Sequence, residues 1–102
     1  MIYCYDDLIF SFMRIFVNIH RTHRQFTDGR ERIPVEGQTI GECLYALIEH
    51  YPGLEKILFD QNKELRNHFE IYLNMESAYP NELKKVVSDG DEIYITALLA
   101  GG

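Results

Sequence analysis

The chain ends in Ala100-Gly101-Gly102, so its last glycine carries the chain's own carboxylate. Glycine has no Cβ, and two in succession make a thin, flexible end that threads where no side chain fits. A carboxylate on such a stalk reads as a chemical handle. Other reactive residue types do not assemble by spacing. His20 and His23 lie three apart beside Arg21 and Arg24 without a third ligand, and read as an exposed basic turn. Cys4 and Cys43 supply neither a disulfide framework nor a metal-ligand spacing. Cys43 falls on the apolar stripe of an expected helix and reads as a small buried hydrophobe. His50 and His68 fall at an expected helix end and strand start. No nucleophile–base–acid set, phosphate-binding glycine loop or metal site is expected.

The remaining chain must present that handle. Its 102 residues fit one domain, which buries roughly 60–70% of the surface exposed by the unfolded chain. Seven Tyr and six Phe supply much of the bulk for a core. A net charge of −6 argues against nucleic acid, which calls for a basic face. It suits a protein that meets basic partner surfaces, although any single carboxylate serves solubility equally well. Unpaired cysteines point to a reducing, cytoplasmic setting. The opening stretch Met1 to Phe12 has two aspartates, no basic n-region and no small-residue cleavage site. It is too short to span a bilayer, so no membrane partner is expected. Residues 1–12 read as an accessory extension, or Met13 is the native start; an extra edge strand or a partner contact is the alternative.

From Arg14 to His20, Ile15, Val17 and Ile19 alternate with Phe16, Asn18 and His20, the pattern of a half-buried strand. Thr27-Asp28-Gly29-Arg30 is turn chemistry. A short second strand follows over Arg32 to Gly37, where Pro34 lacks an N–H and belongs at an edge. Thr39-Ile40-Gly41-Glu42 is a capping box opening a helix to about His50. Ile40, Cys43, Leu44, Leu47, Ile48 and Tyr51 form its apolar stripe. Pro52-Gly53 ends it, Leu54 to Phe59 allows a short helical turn, and Asp60 to Asn67 is a polar loop. His68 to Asn74 reads as a third strand, with Ile71 and Leu73 inward and Tyr72 outward. Ser77 to Val87 reads as irregular, with room for a helical turn at Glu82 to Val86. Ser88-Asp89-Gly90-Asp91 turns the chain into a last strand, Glu92 to Leu98.

Strand, turn, strand, helix, strand, irregular segment, strand is the order of a β-grasp domain. The expected class is α+β, a mixed sheet of about four to five strands packed on one main helix. Its first and last strands are expected side by side and parallel at the centre. The domain spans 13–98, after the extension 1–12 and before a tail at 99–102.

Met13-Arg14-Ile15-Phe16-Val17 resembles the opening of ubiquitin-like proteins. Thr39 to Leu44, Tyr51-Pro52-Gly53-Leu54, Ile71 to Asn74, Asp89 to Glu92 and Ala100-Gly101-Gly102 resemble the MoaD/ThiS sulfur-carrier family. The likeness covers nearly everything after residue 12. Within the family the chain is similar to the molybdopterin-synthase small subunit and to carriers that feed cysteine or homocysteine synthesis. His23 to Gly29 resembles the basic, glycine-ended first turn of the amino-acid branch. One departure is Asn74-Met75, where the family commonly has Asn-Gly. A non-glycine residue at positive φ costs roughly 1 kcal/mol, so the turn is expected to be longer or of another type. A second is Leu98-Leu99, which replaces a less bulky pair.

The resemblance implies chemistry without a catalytic side chain: the protein is a cosubstrate, not an enzyme alone. An E1-like adenylating enzyme, using ATP and Mg, would activate the Gly102 carboxylate. A sulfur donor of cysteine-desulfurase or rhodanese type would displace AMP and leave a thiocarboxylate. Its sulfur is ionised and nucleophilic near neutrality, as a thiolate is. An acceptor, either the molybdopterin-synthase large subunit or a PLP-dependent sulfhydrylase, would take that sulfur. The chain itself binds no cofactor. Gly101 and Gly102 would admit the tail to a narrow channel, to which Ala100 adds only a methyl group. Leu98 and Leu99 are expected to dock in a partner groove or finish the core.

Alternation places Ile93 and Ile95 inward and Tyr94 and Thr96 outward. Phe16, Tyr72 and Tyr94 are therefore expected to form an exposed aromatic patch for partners, unless the irregular segments cover them. Two other functions use the same features. A ubiquitin-like modifier would join Gly102 to a lysine amine, whereas a non-covalent β-grasp binding module would need no reactive tail.

Overall fold

The computed structural model describes residues 14–97. Strand β1 (Arg14–Ile19) is followed by a 3-10 helix at Arg21–Thr27, then β2 (Arg32–Glu36) and helix α1 (Ile40–His50). A 3-10 turn at Pro52–Leu54 leads into α2 (Glu55–Leu58), β3 (Phe69–Leu73) and the two-residue β4 (Glu76–Ser77). A 3-10 turn at Glu82–Lys84 precedes β5 (Glu92–Ala97). The sheet order is β2-β1-β5-β3-β4, with β1 and β5 parallel at the centre and the other pairs antiparallel. This is the expected β-grasp architecture.

Alternation explains the two layers. Ile15, Val17, Ile33, Ile71, Ile93 and Ile95 point to one face, where Ile40, Cys43, Leu44 and Leu47 of α1 cover them. Burying each such aliphatic side chain is worth roughly 1.5–3 kcal/mol, so this face dominates the stability. Leu54 and Leu58 seal the same core from below α1. Pro34 sits on the edge strand opposite Phe16, where its missing N–H costs the sheet little.

The capping box forms with a one-residue offset. Thr39 Oγ1 accepts from the Glu42 N–H at 3.1 Å, while Glu42 Oε1 reaches past Thr39 to the Gln38 N–H at 2.8 Å. Gly41 lies so close to the 82–84 turn that a Cβ would stand 2.8 Å from the Leu83 carbonyl oxygen. Close approach, rather than flexibility, explains a glycine inside a helix here.

Several local expectations change. Residues 21–27 form a 3-10 helix, started by His20 Nδ1 accepting from the Thr22 N–H. The buried Thr27 hydroxyl closes it, 2.8 Å from the Arg30 carbonyl oxygen. The segment 77–87 is less irregular than expected, since β4 pairs with β3 and the helical turn is shorter, at Glu82–Lys84. The Asn74-Met75 turn is neither longer nor of another type. It is a two-residue connection between paired Leu73 and Glu76, with φ of 52° at Asn74 and 77° at Met75. Positive φ at both central residues is the geometry whose twist matches a hairpin. Side-chain bonds from Asn74 hold it, so glycine is not required.

The final turn aligns β5 on β1. Gly90 adopts φ of 88°, and its N–H donates to the Arg14 carbonyl at 2.8 Å. Asp89 Oδ1 accepts from the Arg14 N–H at 2.9 Å, and the Asp91 carbonyl accepts from the Phe16 N–H at 3.0 Å. Three bonds thus fix the register of the strand leading to the tail.

Candidate functional site

The sheet face opposite α1 is built by the other half of each alternation. In β5, Glu92, Tyr94 and Thr96 point to it, while Ile93 and Ile95 are in the core. Tyr94 is directly opposite Tyr72 of β3 and beside Asn18 of β1. Phe16 is beside Glu92, one diagonal step away. Phe16, Tyr72 and Tyr94 therefore share this face, and each is half-buried.

Their neighbours differ. The Arg32 guanidinium reaches from edge strand β2 and lies 3.7 Å from the centroid of Phe16, a cation–π stack. Arg32 also forms an ion pair with Glu92, whose carboxylate accepts from Asn18 Nδ2 at 2.9 Å. Phe16 thus lies under a fixed charge, while Tyr72 and Tyr94 stand together on the neighbouring strands. The Arg32 bond, with help from Asn18, holds the Glu92 carboxyl below its ordinary range, against a smaller opposing effect of burial. The same bond raises Arg32. Beside Tyr72, the Glu70 carboxylate pushes the phenol above its ordinary value.

Alternation predicts which residues face outward, but not that Arg32 and Phe16 are cross-strand neighbours. That depends on the β1–β2 register, which places Arg32 opposite Asn18 and Pro34 opposite Phe16. A cation at an outward position two residues before the edge proline was the available signal.

The expected tail residues Leu98, Leu99, Ala100, Gly101 and Gly102 lie outside the described residues, as do Cys4 and the extension 1–12. Their attachment point is described. The end of β5 runs between Phe69 of β3, paired with Ala97, and Ile19 of β1, paired with Ile95. His20, His23 and His68 lie around that end. The Thr22 hydroxyl sits 2.9 Å from His20 Nδ1 and 3.2 Å from His23 Nδ1. Burial against Phe69 lowers the His23 pKa, with smaller contributions from His20 and His68. No group of three metal-ligating side chains gathers among the described residues.

Cys43 is fully buried on the inner face of α1, and burial pushes its thiol up to about 11. That environment suits packing rather than nucleophilic chemistry. No helix among the described residues is long and apolar enough to cross a membrane.

The sequence profile of the ThiS family matches residues 16–102, from the middle of β1 through the diglycine. The chain belongs to the ThiS family. The sulfur carrier protein CysO of Mycobacterium tuberculosis is 29% identical over 93 residues, covering 88% of this chain and all of that protein. Small archaeal modifier protein 1 of Haloferax volcanii is 33% identical over 72 residues, covering 70% of this chain and 79% of the modifier. In three dimensions the chain is similar to a chain of the BexX/CysO complex from Amycolatopsis orientalis. That similarity has a TM-score of 0.78 and 26% identity, covering 86% of this chain and 99% of the other. These relatives are a sulfur carrier protein and a small modifier protein, and the CysO of Amycolatopsis orientalis was solved in a complex with BexX.

Proposed function

We propose that this ThiS-family chain is a sulfur carrier whose Gly102 carboxylate is adenylated and converted to a thiocarboxylate. The observation that carries this reading is the family match through Gly101 and Gly102, joined to a CysO carrier aligned over its whole length. A carboxylate is a poor acyl donor because oxide leaves badly. Joining it to AMP, with release of pyrophosphate, creates a good leaving group. Sulfide displaces it at the acyl carbon to give the thiocarboxylate; a persulfide gives an acyl disulfide, which a second thiol reduces to the thiocarboxylate. The thiocarboxylate then gives its sulfur to an acceptor enzyme, and the carboxylate is restored. ATP and magnesium belong to the activating enzyme. The chain contributes a tail that fits a narrow channel and a face on which partners dock.

Tyr72 and Tyr94 are the aromatic anchors of that face, with Phe16 held under Arg32 at its margin. The CysO relatives and the basic first turn at 23–29 favour an acceptor in cysteine or homocysteine synthesis over molybdopterin synthase. The cytoplasm, where such enzymes and reduced thiols are found, is the compartment that fits.

The 33% identity to small archaeal modifier protein 1 supports a second reading, conjugation of Gly102 to lysine amines. One experiment separates the two. The full chain is incubated with a lysate of its native cells, ATP, magnesium and sulfide, and its intact mass is measured. Exchange of one oxygen for sulfur at Gly102 supports the carrier. Unchanged free chain together with the tryptic 86–102 branch of this chain on lysines of other proteins supports the modifier.

A further inference from the structure

The chain is acidic overall, with 16 carboxylates against 10 Lys and Arg. Residues 20–32 reverse that balance, carrying four arginines (Arg21, Arg24, Arg30 and Arg32) against Asp28 and Glu31, plus two histidines. The fold brings this segment beside the end of β5, because β1 and β5 run parallel and Ile19 pairs with Ile95. A groove of about 330 Å³ opens there on the outer face, bordered by His20, Arg24, Glu31, Arg32, Tyr94 and Thr96.

Its cationic groups are already placed. Arg24 is half-buried, and its Nε–H donates to the Ile19 carbonyl at 3.0 Å. That bond fixes the plane of the guanidinium and leaves its terminal nitrogens without a hydrogen-bond partner among the described residues. Arg32 is held between Phe16 and Glu92. His20 accepts the Thr22 N–H at Nδ1, so the proton of the neutral ring is on Nε2. The prepositioned guanidinium of Arg24 matches the geometry of a carboxylate and loses little freedom when it binds one. Arg32, bonded to Glu92 through Nε and one terminal nitrogen, has its other terminal nitrogen to add. The volume is at the small end of the range for binding clefts, room for one or two side chains rather than a whole ligand.

We propose that this groove receives carboxylate side chains from an acidic loop of the adenylating enzyme that activates the tail. The proposal rests on the carrier reading and names the chemistry of its docking partner. Whole-chain acidity would favour a basic partner, but the charge flanking the tail's root is reversed. The same partner surface that admits the tail would then meet Arg24 and Arg32 alongside Thr96. Glu31 on the rim repels carboxylates that approach out of register, which adds selectivity.

The test is a titration of the isotope-labelled full chain with a blocked oligo-glutamate peptide, followed by amide and arginine Nε–H shifts. Oligo-lysine and single-stranded oligouridylate serve as competing probes. Saturable shifts confined to Asn18, His20, Arg24, Arg32 and Thr96 are expected, weakening with salt. R24Q and R32Q should each weaken binding by about two- to fivefold, the range of exposed ion pairs, and together by roughly tenfold. Unchanged spectra elsewhere show that the variants are folded. Unsaturable shifts, shifts centred on another face, or tighter binding of the RNA overturn the proposal. The peptide titration does not depend on tail chemistry. If the wild-type chain is never thiocarboxylated, the carrier reading falls. If thiocarboxylation proceeds equally fast in R24Q/R32Q and wild type, only the docking groove falls.

Discussion

Asn74 and Glu92 hold each other across the start of β5. The Asn74 N–H donates to the Glu92 carbonyl at 2.9 Å, and the Glu92 N–H donates back to Asn74 Oδ1 at 2.9 Å. Asn74 Nδ2 also donates to Asp91 Oδ1 at 2.9 Å. The β3–β4 turn is thereby tied to the turn that feeds β5. Asn tolerates left-handed φ and supplies these bonds, whereas the 79%-exposed Met75 next to it has the strain without the compensation. Met75→Gly should raise stability by about 0.5 kcal/mol, the relief of strain less the greater freedom of the unfolded chain. Asn74→Ala should lower it by about 1–2 kcal/mol, through the lost bonds and the strain of alanine at positive φ. Urea unfolding of the three proteins measures both; equal midpoints would mean that the turn adds nothing.

Glu92 makes stability depend on acid in a defined direction. Its carboxyl is held below the ordinary range in the folded protein, chiefly by Arg32 and then by Asn18. The pairing therefore contributes fully above the ordinary Glu value of about 4.3 and is lost as pH falls through the lower folded value. Glu92→Gln should flatten the acid side of the stability curve. The denaturation midpoint of the wild type should fall more steeply than that of the variant, and added salt should narrow the gap. Parallel curves would show that the Arg32 pair is energetically silent.

The sequence carried the sheet and main helix in forms that depend on short periods. Ile15, Val17, Ile93 and Ile95 alternate, Ile40 to Leu47 repeat at helical spacing, and Thr39 with Glu42 marks the helix start. What it did not carry depends on contacts distant in sequence. The hairpin at Asn74-Met75 is stabilised by Asp91 and Glu92, seventeen or eighteen residues later, which no turn propensity contains. The 3-10 helix at Arg21–Thr27 depends on a histidine as its cap, an unusual choice among capping residues. For the site, outward alternation identified Phe16, Tyr72 and Tyr94. The strand register alone set Arg32 over Phe16 and gathered Arg24, His20 and Thr96 beside the end of β5.

Cys43 should behave as an inert core atom. A thiol raised to about 11 is almost entirely protonated at neutral pH, and the side chain is fully buried. Iodoacetamide added to the native chain should leave Cys43 unmodified, and its modification in dilute urea should follow global unfolding. Peptide mapping distinguishes it from Cys4. Rapid alkylation under native conditions would show that α1 opens locally at this position.

Deleting Gly101 and Gly102 separates carrier and modifier from a non-covalent module. Gly101 and Gly102 carry no side chain to add to the core, and β5 is already paired on both sides through Thr96 and Ile95. The shortened chain should therefore unfold within about 0.5 kcal/mol of the full chain, as surface changes usually do. It should also still bind acidic peptide in the groove, because Arg24 and Arg32 lie on the 3-10 helix and β2 rather than on the deleted residues. Adenylate formation, followed as ATP-dependent pyrophosphate release in lysate, should disappear. A deletion that unfolds the domain would give the tail a structural role. A stable deletion that retains full biological activity would identify a binding module in which the glycines are incidental.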